Sequence, residues 1–186
     1  MVKEKCYEYF YRKLYLLSLL WGVWTCFSCR AQNERSNKVD FSTVSFLDVS
    51  KFMGRWYEIA RYDHRFEKDM THVTADYILL EDGKIKVINQ GIKNGLVKKI
   101  VGKAKQPDPI RFPGRLKVSF FLWFYADFYI LELDDNYQYA VIGSSSDKYL
   151  WILSRTPQMD VTLYKKILRS VEQRGYDLTR LIFVKQ

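Results

Sequence analysis

The strongest constraint on how this chain folds is a period of two. From Phe52 onward, apolar and polar residues alternate in short runs separated by turn residues, the pattern of strands that each bury one face. The runs span residues 56–62, 73–80, 84–89, 97–105, 115–121, 128–133, 137–142 and 149–155. Asp82-Gly83 and Asp134-Asp135-Asn136 between runs are hairpin turn signals. Consecutive strands joined this way predict an all-β protein, an eight-stranded antiparallel up-and-down barrel, whose interior holds its own side chains or one small ligand. After Pro157 the period lengthens. Asp160 is a helix N-cap, Tyr164, Ile167, Leu168 and Val171 share one face, and Gly175 is the stop. One helix packed outside the barrel is expected there, followed by a short final strand over 181–184.

Strand parity sorts the inside from the outside. Ala75, Tyr77 and Leu79 share a face, as do Ile85, Val87 and Asn89 with Lys84 and Lys86 opposite. Leu116, Val118 and Phe120 oppose Arg115 and Lys117. Tyr129, Leu131 and Leu133 oppose Glu132, and Tyr149, Trp151 and Leu153 lie on the face that carries Arg155. These residues are expected to line a mostly aliphatic and aromatic tube, with Glu58, Asn89 and the tyrosines as its polar points. Such a wall selects a hydrocarbon-rich ligand; the plainer alternative is that the side chains fill the space.

Gly54-Arg55-Trp56 opens the first strand and Arg155 ends the last. A guanidinium is always charged and finds a favourable place over the face of an indole, a contact of roughly 0.5–2 kcal/mol. Gly54, Trp56 and Arg155 are therefore expected to close one end together, in a structural role. Four separated segments, GRWYEIARYDHRFE, KIKVINQG, LKVSFF and YLWILSRTP, carry a wider likeness. Over about residues 39–186 the chain resembles the lipocalins, in particular the bacterial outer-membrane lipocalins and their apolipoprotein D relatives. The resemblance implies a lipid-binding protein rather than an enzyme, with no cofactor. It also implies a ligand such as a fatty acid or lysophospholipid.

Residues 1–13 carry Lys3, Lys5, Arg12 and Lys13, and residues 14–28 are uncharged and mostly apolar, the build of a secretory signal. All three cysteines, Cys6, Cys26 and Cys29, lie in or before this region, so the rest of the chain has no disulfide to form. Ser28-Cys29 followed by polar residues resembles a lipoprotein processing site. The expected organisation is a signal over 1–29 with Cys29 acylated, a tether over 30–40 and the barrel over 41–186. Processing at Cys26, a plain secretory signal and a retained anchor are the alternatives. Location in the cell envelope follows, at the outer membrane through a lipid anchor or otherwise in the periplasm.

The net charge of +9 comes from Lys and Arg scattered singly among apolar residues, which fits the outer faces of strands better than a nucleic-acid surface. Attraction to anionic headgroups is the more natural use. Loops over 63–72, 90–95, 121–127 and 143–148, at the end opposite Trp56, are expected to form the mouth. Among them, residues 121–125 (FLWFY) place Phe121, Trp123 and Phe124 where water would meet them, and the bacterial relatives commonly have Gly and Pro where this chain has Leu122 and Trp123. Contact with a membrane or a second subunit, or folding back over the entrance, would cover them. A monomer or weak homodimer is expected.

His64 and His72 flank Glu67 and Asp69 at a spacing that fits no usual metal-ligand set. No inner face carries a histidine of the kind haem-binding lipocalins use, and no cysteine stands where the prostaglandin-isomerising relative has its nucleophile. Ser144, Ser145 and Ser146 have no histidine or acid placed beside them. Glu58 with Tyr129 or Tyr149 is the one candidate acid–base pair, the basis for an isomerase as the rival function. An envelope interaction module with a filled barrel is the other rival.

Overall fold

The computed structural model describes residues 38–186, so the apolar leader and Cys29 lie outside the described residues. The barrel unit runs from Val39 to Gln186. Val39 and Phe41 pack against its outer apolar cluster, and the Asp40 N–H donates to the Arg174 carbonyl at 2.8 Å.

Nine strands follow one another: β1 Gly54–Tyr62, β2 Thr71–Leu79, β3 Ile85–Lys93, β4 Leu96–Lys105, β5 Arg115–Phe121, β6 Phe124–Leu133, β7 Tyr139–Gly143, β8 Leu150–Ser154 and β9 Leu181–Phe183. Each of β1 to β8 pairs antiparallel with its chain neighbours, and β1 pairs with both β2 and β8, which closes the sheet into the expected barrel. β9 extends the pairing along the far half of β1, with Tyr62 opposite Leu181 and Ala60 opposite Phe183. Among the described residues two α-helices accompany the barrel, α1 Val49–Phe52 and α2 Val161–Gln173. Asp48 and Asp160 cap them, each accepting two backbone N–H bonds that the first turn would otherwise leave unmade. Gly175, with φ at +87°, ends α2 as expected.

The apolar residues divide into two clusters. The inner one contains Trp56, Tyr77, Ile85, Val87, Ala104, Leu116, Ile130, Ala140, Ile142 and Leu153, with Phe52 of α1 beneath them. The outer one sandwiches Ile167 and Val171 of α2 against Ile59, Leu131, Val141, Leu150 and Ile152. Arg174, at the end of α2, fixes this contact by donating from Nε to Glu132 and from Nη2 to the Leu131 carbonyl, both at 2.9 Å.

Two corrections follow at the mouth. Residues 90–95 and 121–127, expected as loops, are largely strand. Asn94-Gly95 makes a two-residue turn, with φ at +53° and +74°, so β3 and β4 pair out to Lys93 and Leu96. Leu122-Trp123 makes another, with Phe121 opposite Phe124. β4 pairs with β5 only at Lys103, Ala104 and Lys105, because β5 bulges after Val118 and turns back. The β4 segment Leu96 to Val101 therefore borders the mouth without pairing to β5.

Candidate functional site

The closed pole is built as the sequence implies. The Arg155 guanidinium lies 3.9 Å from the centre of the Trp56 ring. Its donors go to backbone carbonyls: Nη2 to Lys51 at 2.7 Å, Nη1 to Arg55 at 2.9 Å and Nε to Tyr137 at 3.2 Å. Trp56 Nε1 donates to the Phe52 carbonyl at 2.9 Å, so indole and guanidinium hold α1 across the floor. Gly54 sits at φ +91°, a conformation that favours glycine, and a Cβ there would stand 3.4 Å from Arg155. The short helix itself escaped the sequence reading, although Asp48 with two amides to cap was its signal.

The inner wall carries most of the residues assigned to it. Tyr77, Ile85, Val87 and Leu116 are buried in the inner cluster, and Ala75, Val118, Phe120 and Trp151 pack against it. Phe120 lies over Gly102, whose missing side chain makes room for the ring: a Cβ would stand 2.6 Å from it. Ala75, Asn89, Val118, Phe120, Phe128 and Trp151 point inward by register yet stay partly accessible. Ile100, opposite Asn89, is 48% exposed although it too faces inward. These inward-facing apolar groups remain partly accessible, which a fully packed interior would not leave them.

Four assignments need correction. Tyr129 and Leu131 face outward. Arg115 stands opposite Tyr129 in the β5–β6 register, and its guanidinium lies 5.2 Å from that ring. Leu131 belongs to the cluster beneath α2. Phe128 and Ile130 take the inner positions, and a bulge between Ile130 and Glu132 restores Leu133 to the inside. That one-residue slip is why alternation read from Leu133 backward reaches the wrong face. Leu79 keeps its inward parity opposite Ile85 but lies beyond the start of β1, 42% exposed at the closed rim. Tyr149 precedes β8 and sits at the mouth, its ring stacked 6.0 Å from Trp151 and 4.9 Å from His64. With Tyr129 outside, its proposed acid–base pairing with Glu58 is also corrected.

Glu58 has another partner. A bulge between Glu58 and Ala60 turns Arg61 to the same side of β1 as Glu58, so residues three apart meet inside the barrel. Arg61 Nη1 donates to Glu58 Oε1 at 2.6 Å, and both side chains are almost fully buried. Arg61 Nη2 donates to the Glu67 carbonyl at 2.6 Å, drawing the mouth segment 63–70 down onto the wall. Glu67, also buried, accepts from Trp151 Nε1 at 3.1 Å. Two buried carboxyls thus lie near one guanidinium, which bonds the Glu58 carboxylate and only the backbone of Glu67. Burial, reinforced by the neighbouring Glu67 charge and only partly offset by Arg61, pushes the Glu58 carboxyl up to about 8. Burial raises Glu67 as well. His64 goes the other way: burial, then the charge of Arg61, lowers it to about 4 and keeps it neutral. Arg61 escaped the sequence reading because period two assigns it to the outside, and His64 and Glu67 are weighed there only as metal ligands on a mouth loop.

The mouth hairpin presents its aromatic tip to solvent. Phe121, Leu122, Trp123 and Phe124 are each more than half exposed, Trp123 at 71%, with Trp123 and Phe124 stacked 5.9 Å apart. Folding back over the entrance is therefore not what this hairpin does.

A closed antiparallel barrel plugged at one pole by Trp56 and Arg155, open at the other and apolar within, is the calyx of a binding protein for small hydrophobic molecules. Residues 47–186 match the family model described as a lipocalin-like domain, and the chain belongs to the lipocalin family. It is 41% identical over 146 residues to the outer membrane lipoprotein Blc of Vibrio cholerae, covering 77% of this chain and 85% of that one. It is 37% identical to apolipoprotein D of Macaca fascicularis, covering 84% and 87%. Among solved structures, insecticyanin from the tobacco hornworm Manduca sexta superimposes with a TM-score of 0.65 at 23% identity, covering 79% and 85%, a likeness of fold. The likeness to outer membrane lipoproteins places the chain in the cell envelope, at the outer membrane.

Proposed function

We propose that this protein holds one single-chain lipid in its lumen and carries it within the cell envelope, anchored to the outer membrane through an acylated Cys29 and working as a monomer or weak homodimer. The observation that carries this reading is the set of inward-facing apolar side chains that remain accessible above the Trp56–Arg155 floor. Each buried methylene contributes roughly 0.8 kcal/mol against water, so a chain of about 14 carbons gains on the order of 10 kcal/mol before ordering costs. Against a bilayer the same chain gains almost nothing, since both surroundings are apolar. Loading and unloading are then nearly balanced, which suits a shuttle for one acyl chain.

The exposed tip from Phe121 to Phe124 gives such a shuttle its landing surface. Aromatic side chains settle at the headgroup level of a bilayer, and Lys93, Lys98, Lys99 and Lys103 on the adjoining β3–β4 hairpin are placed to meet anionic heads. The test is to purify the full chain without detergent, extract it with organic solvent and identify what is released. A stoichiometric single-chain lipid supports the reading. Protein that never carries lipid, and takes none up when it is offered, rejects it.

A further inference from the structure

The lumen wall carries a charge arrangement that hydrocarbon binding does not need. On the β1 and β8 side, from mid-barrel to just under the mouth, Glu58, Arg61, Glu67 and Trp151 form one buried network. When both carboxyls are ionised the network holds two negative charges against one positive charge. The guanidinium is already committed, with Nη1 on Glu58 and Nη2 on the Glu67 carbonyl. A carboxylate head entering here would meet two acidic groups and a cation already paired with one of them. A donor head would meet acceptors, since only one oxygen of each carboxyl is hydrogen-bonded among the described residues.

Three buried atoms point to an occupant. His64 Nε2 and Asn89 Oδ1 are buried with no hydrogen-bond partner among the described residues, and His64 as a whole is only 8% exposed. Its ring lies 5.0 Å from that of Trp151, the residue that holds Glu67. Arg61 Nε is likewise buried without an acceptor. Unpartnered buried polar atoms are rare in folded proteins and ask for a ligand group or water.

We propose that the bound amphiphile carries an ammonium head seated against the Glu58 and Glu67 carboxyls, so that the protein selects amine-headed single-chain lipids over fatty acids of equal length. Arg61 Nε then donates to an oxygen in the linker beside the ammonium. This rests on the lipid-carrier reading above. Because burial holds a proton on Glu58 near neutral pH, the ammonium displaces it, and the preference strengthens as pH rises past 8. The ionisable groups facing the head are Glu58 and Arg61 on β1, His64 and Glu67 in the mouth segment and Tyr77 on β2, whose hydroxyl burial keeps protonated.

The test titrates delipidated full-chain protein with tetradecylamine and with tetradecanoate, each below its critical micelle concentration, at pH 6 and pH 8.5. The amine is expected to bind at least about tenfold tighter at pH 8.5, the scale of one charge-assisted hydrogen bond, with a smaller margin at pH 6. Glu58→Gln and Glu67→Gln should each shrink that margin, with thermal melts confirming that the variant is folded. Matched lysophospholipids with and without an ethanolamine head repeat the comparison. Ethanolamine preference lost in Glu58→Gln assigns a phospholipid as the source of the ammonium, and its absence beside a retained alkylamine preference assigns a simple long-chain amine. Tetradecanoate binding as tightly as the amine at pH 8.5, or an amine margin untouched in both folded variants, overturns the ammonium site and leaves lipid carriage standing. If neither ligand binds, lipid carriage fails and the ammonium site fails with it.

Discussion

Glu58 and Arg61 stand three residues apart on one strand and still meet inside the barrel, their side chains joined at 2.6 Å because β1 bulges between them. In a regular strand they would point to opposite faces. The bulge thus turns an outward arginine into the fastening of the mouth segment, through the Glu67 carbonyl.

That network gives the protein a pH profile whose sign follows from its groups. Glu58 titrates near 8 when folded and at 4.5 ordinarily, so between those values the folded state holds the proton the unfolded chain has lost, and stability falls as pH rises. Glu67, also raised, adds to the same trend. His64 titrates near 4 when folded against 6.5 ordinarily, so the unfolded chain binds the extra proton and stability falls as pH drops through that window. The two oppose each other below 6.5, which leaves the carboxyls unopposed from there to 8. Stability is expected to decline from pH 6.5 toward pH 8 with a slope of at most about 1.4 kcal/mol per pH unit for one group, and to change less just below pH 6.5, where His64 opposes the carboxyls; melting temperatures measured across this range check it. Glu58→Gln should flatten the alkaline limb; a limb of unchanged slope would refute the assignment.

Arg155→Met should destabilise the fold by about 2–4 kcal/mol, since it removes the cation from Trp56 and leaves carbonyls of α1, β1 and the β6–β7 turn without their donor. Arg155→Lys should recover only part of this loss, because one ammonium cannot span carbonyls that a planar fork reaches together. Urea denaturation of the two variants measures both effects.

Inner and outer positions on neighbouring strands should separate binding from stability. Leu131→Ala, beneath α2, is expected to lower stability by about 2–4 kcal/mol while lipid affinity stays within about twofold. Val118→Trp fills the lumen and should weaken lipid binding at least about tenfold with the far-ultraviolet dichroism unchanged. Equal effects of both substitutions on affinity would show that β6 had been assigned the wrong face.

Replacing Trp123 and Phe124 together by Ser should lower partitioning onto vesicles containing anionic lipid by about tenfold or more, without loss of lipid held in the lumen. Vesicle co-sedimentation at low and high salt measures this, and undiminished binding would reject the landing surface.

The barrel, its strand order, the outer helix and the sealed pole were legible because each rests on local chemistry that repeats along the chain. Alternation marks strands, Asp160 and Gly175 bracket α2, and Gly54, Trp56 and Arg155 occur at the two strands that close the ring. Asn94-Gly95 also carried its turn signal openly, and the hairpin there could have been read in full.

What only the tertiary structure decided lies at the bulges. Between Glu58 and Ala60, after Val118, and between Ile130 and Glu132 the pairing slips by one residue, and across the first and third of these slips alternation no longer tells inside from outside. A bulge is fixed by how two strands fit around a curved barrel, which no window along one strand contains. Arg61, placed outside by its parity, therefore proved the centre of the inner network, and Tyr129, placed inside, proved part of the outer surface. The sequence determined that there is a greasy barrel with one sealed end; the packing of strand against strand determined which charges look into it.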